Sequence, residues 1–140
     1  MLTQQTHTIE ISTKGRQFHD LTQEVATQVK NAKIAEGLAT VHLQHTSASL
    51  VIQENADPGV QRDLERFMAR VCPDGDPIFE HDYEGPDDMP AHVRTALTAV
   101  NLSIPITNNQ LALGTWQGIF LWEHRHAGHH RKVTVHLLGE

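Results

Sequence analysis

The chain has 140 residues, a single cysteine and a net charge of -6 with histidine neutral. That length suits one domain with one substantial core. The acidic balance argues against a general nucleic-acid binder, which needs a basic surface, and a lone Cys72 excludes an internal disulfide or a thiolate metal cluster. The start, Met1-Leu2-Thr3-Gln4-Gln5, lacks the basic and apolar regions of a signal peptide, and no apolar run reaches membrane-spanning length, so a soluble cytoplasmic protein without membrane contact is expected. Hydrophobic residues make up 39%, slightly below average, as expected if a partner subunit completes some apolar surface or if the polar sites are extensive. Eleven histidines stand out, because histidine is both the commonest metal ligand and the usual acid or base near neutral pH.

Alternation of Ile9 and Ile11 with Thr8 and Glu10 predicts a strand over 6–12, followed by a turn at Lys14-Gly15-Arg16. Phe18, Leu21, Val25, Val29 and Ala32 recur at helical spacing. Asp20 and Gln23 have capping-box spacing at the start, and Gly37 sits past the end. A strand over 38–45 carries Val41, Leu43 and His45 on one face, and Leu50-Val51-Ile52 forms a short further strand. Asp57-Pro58 starts a second helix, cap then proline, with Val60, Leu64, Phe67, Met68 and Val71 as its buried stripe. The long connection 73–90 is rich in acids and turn residues. Asp88 is expected to cap a third helix with Val93, Ala96, Leu97 and Val100 as its stripe. Strands over 103–107 and 111–113 meet at Asn108-Asn109, which tolerates left-handed backbone. A strand over 116–125 and a closing strand over 131–138 flank a turn at Ala127-Gly128-His129. The order implies a single α+β domain over 1–140, a largely antiparallel or mixed sheet packed with about three helices.

The densest polar stretch runs from His81 to His92 and holds two histidines and four carboxylates (Asp82, Glu84, Asp87, Asp88) around Gly85-Pro86. Such a density suits a bound cation or a charged substrate; the plain alternative is a solvated acidic loop. His45 is a third candidate ligand, its alternative being a histidine bonded to backbone at a strand end. With His81 and His92 it would form a facial set with open positions for water or substrate. Ser47 beside a histidine suggests a nucleophile, but no nucleophile-elbow motif surrounds it. Gly114-Thr115-Trp116-Gln117-Gly118 offers a stacking surface and an amide for a planar ring, or simply a tryptophan in a turn. Glu123 and Arg125 share a strand face and suit an anion, each other or a neighbouring subunit. His124, His126, His129 and His130 read as a solvated turn.

His45-Thr46-Ser47-Ala48-Ser49-Leu50, Glu54-Asn55-Ala56-Asp57-Pro58, Glu80-His81-Asp82-Tyr83-Glu84-Gly85, Asp87-Asp88-Met89-Pro90-Ala91-His92, Gly114-Thr115-Trp116-Gln117-Gly118 and Glu123-His124-Arg125 follow in this order. Together, across essentially the whole chain, they resemble the YjbQ family. The resemblance implies a compact α+β domain assembled as a homotrimer and a secondary thiamine-phosphate synthase activity. That reaction couples hydroxymethylpyrimidine diphosphate with thiazole phosphate and releases pyrophosphate. It implies a divalent metal, zinc favoured and magnesium or manganese as alternatives, with His45, His81 and His92 as ligands. Glu54, Asp88, Glu123 and Arg125 would serve catalysis. Ser47, Trp116, Gln117 and Arg125, with Arg94, would meet a phosphorylated small-molecule substrate. Two alternatives stand beside it: a metal-dependent hydrolase of a phosphorylated or amide metabolite, with Glu54 or Glu123 as base, and a non-enzymatic trimeric module holding metal in a closed shell.

Overall fold

The computed structural model describes residues 1–140 as an α+β domain built from two antiparallel sheets and three helices. The strands are β1 (Thr3–Ser12), β2 (Phe18–Asp20), β3 (Glu36–Leu43), β4 (Ala48–Glu54), β5 (Asn101–Thr107), β6 (Gln110–Leu111), β7 (Gln117–Glu123) and β8 (His130–Gly139). The helices are α1 (Thr22–Ala32), α2 (Pro58–Val71) and α3 (Asp88–Leu97). Five strands pair in the order β1-β8-β3-β5-β6 and three in the order β2-β7-β4. The inward residues of the larger sheet (Ala39, Val41, Ile104, Val133, Val135) share one core with Ala48, Leu50, Ile119 and Leu121 of the smaller and with Val25 and Val29 of α1.

The alternation in β1, β3 and β8 placed those strands, and Asn108 and Asn109 both adopt positive φ (52° and 59°) in the turn between β5 and β6. Several expected boundaries are displaced. Phe18 lies in β2, not on the first helix, because Phe18-His19-Asp20 pairs with Phe120–Trp122 and the Phe18 ring stacks on Trp122 at 4.5 Å. Asp20 caps no helix; its carboxylate accepts from the Thr22 N–H at 2.9 Å in the turn before α1. Gly37 ends no helix either. That role falls to Lys33 in the left-handed conformation, while Gly37 pairs with Gly139, where a Cβ would stand 2.2 Å from the Leu138 carbonyl oxygen.

Helix α2 starts as expected, with Asp57 accepting from the Gly59 N–H at 2.8 Å and Pro58 in the first turn. Its apolar stripe is not buried, however. None of its residues is fully covered, and Phe67 and Val71 stay 62% and 47% exposed, because the helix meets the domain along only part of that stripe. Helix α3 turns a different face inward from the one expected. Asp88, Pro90, Ala91 and Arg94 are buried, while Leu97 is exposed. The buried Arg94 is charge-paired with Glu65 of α2 through two 2.8 Å bonds from Nη1, while its Nε and Nη2 find no partner.

Candidate metal centre

The long connection 73–87 brings its acids against the start of α3. Asp87 takes the N-cap position and Asp88 is the first helical residue, one place later than expected for the cap. His92 follows Asp88 by one turn, so the two share a helix face. His81 arrives from the loop, and its Nε2 lies 2.7 Å from Asp88 Oδ2. His92 Nε2 lies 3.2 Å from the same oxygen. The ligand atoms of His81, Asp88 and His92 all fall within 4.8 Å of one another, and no other such group of three occurs in the chain.

The partners around this trio fix its orientation. His92 Nδ1 donates to the Thr46 carbonyl at 2.8 Å, because a carbonyl can only accept. Arg125 grips both neighbouring aspartates, Asp88 Oδ1 at 2.9 Å and Asp87 Oδ2 at 3.0 Å, and donates to the Glu84 carbonyl at 2.9 Å. Asp88 therefore presents only Oδ2 to the histidines. Burial alone would raise both carboxyls. For Asp88, bonding to His81 outweighs it; for Asp87, bonds from Arg125 and the His126 N–H outweigh it and hold the group at about 2. Gly85 closes the loop at φ 103°, where a Cβ would lie 3.1 Å from Asp87 Oδ1.

The other sequence candidates lie elsewhere. His45 falls just beyond β3, and its Nε2 accepts from the Lys132 N–H at 2.9 Å, away from the trio. Its pKa is lowered, first by burial and then by Arg131. Ser47 Oγ accepts from Arg131 at 3.0 Å. Glu123 is fully buried and bonded to Arg131, to Thr13 Oγ1 at 2.6 Å and to the N–H groups of His124 and Arg125 at 3.0 and 3.1 Å. Burial alone would raise Glu123; the bonds from Arg131 and Thr13 outweigh it and keep the group below the ordinary glutamate range. Thr13, Glu123, Arg131 and Ser47 thus form an internal polar bridge, with no exposed carboxylate.

Glu54, Trp116 and Gln117 occupy the opposite end of the smaller sheet. Ala48 pairs with Glu123 and Glu54 with Gln117, so these ends lie roughly 20 Å apart at about 3.3 Å per residue. Glu54 accepts from the Ala56 and Asp57 N–H groups at 3.0 and 2.7 Å, and the Gln117 amide oxygen accepts from the Gly114 N–H at 2.8 Å. Trp116 is 64% exposed. Of the histidine tract read as a solvated turn, His124 departs. It is fully buried, Nε2 2.8 Å from Ser49 Oγ, and its pKa falls to about 3, first through burial and then through Arg94, Arg16 and Arg131. Neither the Arg125 clamp on both aspartates nor the Glu123–Arg131 pairing is visible from residue types alone. Each joins segments far apart in the chain.

The sequence pattern of the UPF0047 YjbQ-like proteins matches residues 7–140. A UPF0047 protein of Synechocystis is 50% identical over 130 residues, 93% of this chain and 88% of its own length. The YjbQ protein of Escherichia coli O157:H7 is 44% identical over 134 residues, 95% of this chain and 96% of its own. Among solved structures, a YjbQ/UPF0047 protein of Clostridium acetobutylicum superposes with a TM-score of 0.85 at 35% identity, covering 92% of this chain and 97% of that one. A protein of Sulfolobus solfataricus at 23% identity shares the fold with a TM-score of 0.91 over 100% of both chains. This chain belongs to the UPF0047, YjbQ-like family.

Proposed function

We propose that this chain is a metal-dependent enzyme acting on small phosphorylated molecules, with His81, Asp88 and His92 holding one divalent cation. The observation that carries this reading is the approach of His92 Nε2 to Asp88 Oδ2. With the ring proton committed to Thr46, a neutral His92 directs a lone pair at a carboxylate oxygen, and two acceptors cannot bond without a cation between them. Without a metal ion, His92 would have to be an imidazolium to donate to Asp88, whereas a neutral His81 can donate from Nε2. One divalent ion satisfies both rings at once.

The donor set fits. Tetrahedral ligands at about 2.0–2.1 Å from zinc lie about 3.3 Å apart; the 3.2 Å between His92 and Asp88 matches that, while the 2.7 Å between His81 and Asp88 is a hydrogen-bond distance that would have to open slightly around an ion. Two imidazoles and one carboxylate favour zinc, with magnesium or manganese as the harder alternatives. Three protein ligands leave a position open, the arrangement of catalytic sites. A bound ion there supplies Lewis-acid stabilisation of a phosphoryl leaving group or a more acidic water.

The chain's own residues supply orientation and proton transfer. Thr46 holds the His92 ring, and Arg125 holds Asp88. Glu84 is half exposed, 3.5 Å from His81 Nε2, and is the carboxylate free to move a proton at this site. In the coupling reaction the thiazole nitrogen bonds to the pyrimidine methylene while the carbon–oxygen bond to pyrophosphate breaks. Incubation with hydroxymethylpyrimidine diphosphate and thiazole phosphate, with zinc, magnesium or manganese, is expected to yield thiamine phosphate and pyrophosphate in equal amounts. No product with any of the three ions would overturn the coupling.

A second reading is hydrolysis of a phosphorylated metabolite; in either reading the substrate phosphate would have to meet the cation rather than Arg125. Its guanidinium is occupied by Asp87, Asp88 and Glu84, which leaves it little capacity for a substrate phosphate. Phosphate or pyrophosphate release without coupled product selects this reading.

We further propose a cytoplasmic homotrimer. Phe67 and Val71 of α2, and Leu38 and Leu138 on the outer face of the larger sheet (40% and 41% exposed), are apolar surface for neighbouring copies to cover. If Trp116 and Gln117 serve the metal site, they do so from a neighbouring copy. No helix is long and apolar enough to cross a membrane.

A further inference from the structure

A groove lies between α2 and the segment 16–18 that leads into β2. Arg16 and Phe18 line one wall, and Gln61, Arg62, Glu65 and Arg66 line the other; its volume is about 360 Å³. That is the size of a small-molecule site. The α2 residues fall at i, i+1, i+4 and i+5, so they share one helix face.

The charges in the groove are not equivalent. Glu65 is neutralised by the fully buried Arg94, whose Nη1 donates to both carboxylate oxygens at 2.8 Å, and it accepts from Trp122 Nε1 at 3.2 Å. Arg16 is committed to Asp74, through bonds of 2.7 and 3.1 Å. The remaining ion pair on this side is Arg66–Asp63 at 3.4 Å, both side chains at least 74% exposed, a kind of pair that contributes little. Arg62 has no carboxylate partner among the ion pairs around the groove. Two guanidiniums one helical turn apart are therefore available to a ligand, in a protein whose net charge is -6. Phe18 is held rigid by its stack on Trp122 at 4.5 Å and an edge contact with Phe120 at 6.1 Å. It gives the groove a fixed apolar wall beside the arginines.

We propose that this groove is a second ligand site, for a small molecule that carries a phosphate next to a planar ring. The phosphate meets Arg62 and Arg66, whose forked donors match its oxygens. The ring lies against Phe18, and the Gln61 amide is placed for a ring substituent. The site stands independently of the metal centre and needs no residue of it.

Adenosine 5′-monophosphate serves as probe, with adenosine and inorganic phosphate as its two halves, titrated into untreated protein and followed by backbone amide NMR shifts. Saturable shifts are expected at residues 16–18 and 58–66. Each half is expected to bind at least ~10-fold more weakly than the whole. The double variant Arg62→Gln/Arg66→Gln, with both changes on the exposed side of a helix, is expected to lose about 10-fold or more in affinity while keeping its fold by circular dichroism. Asp63→Asn frees Arg66 and is expected to tighten binding a few-fold, a gain that damage to the fold cannot produce. Three results would overturn the proposal: shifts confined to residues 81–92, no saturable shift up to about 10 mM probe, or unchanged affinity in the double variant.

Discussion

At the residue scale, the polar interior divides into an open cluster and a closed one. His81, Asp88 and His92 keep partly exposed rings and a carboxylate clamped from one side. Thr13, Glu123, Arg131 and Ser47 are sealed, and every charge there has a partner. Glu123 was legible as a carboxylate on a chemically rich strand, but its burial and its partner on β8 are products of the sheet pairing. Arg131→Met leaves Glu123 charged and unpaired in the core, so a loss of about 3–5 kcal/mol is expected from urea unfolding. His124 adds a pH dependence. Its folded pKa of about 3 lies below the ordinary 6.5, so the unfolded chain takes up the proton first as pH falls. Its contribution is complete above pH 6.5 and is lost between 6.5 and 3, by up to about 1.4 kcal/mol per pH unit. His124→Gln is expected to flatten the dependence of the urea midpoint on pH across that window. An unchanged slope would mean that His124 is not the group responsible.

At the element scale, period-two alternation and the Asp-Pro helix start were readable, because each is a local pattern with a local cause. The misplaced features were decided by contacts distant in sequence. Phe18 fits the helical period, yet pairing with β7 and the Trp122 ring claims it for a strand. Gly37 looks like a helix stop, yet its role is to let β3 and β8 approach where Gly139 faces it. Gly37→Ala sets a methyl 2.2 Å from a backbone oxygen. It should lower thermal stability far more than Asp57→Ala, which removes one helix cap at a cost of about 1 kcal/mol. Parallel melts of the two variants test that ranking.

At the scale of the whole molecule, the smaller sheet separates the motif residues into two groups at its ends. The His81–His92 loop and Arg125 gather near Thr46; Glu54, Trp116 and Gln117 gather at the other end. The sequence order of these motifs contained no such division, since it is set by the β4–β7 register. The exposed stripe of α2 has the same origin: helical period shows that a face is apolar, not what covers it. In the homotrimer proposed above, Phe67→Glu/Val71→Glu is expected to shift sedimentation from trimer to monomer while the fold persists; sedimentation identical to the wild type would assign that face to solvent. Elemental analysis of untagged protein decides whether a cation is held at His81, Asp88 and His92. About one divalent ion per chain is expected in the wild type and in His45→Ala, whose ring faces Lys132, and little in His92→Ala or Asp88→Asn. Equal metal content in the wild type and His92→Ala would contradict the assignment.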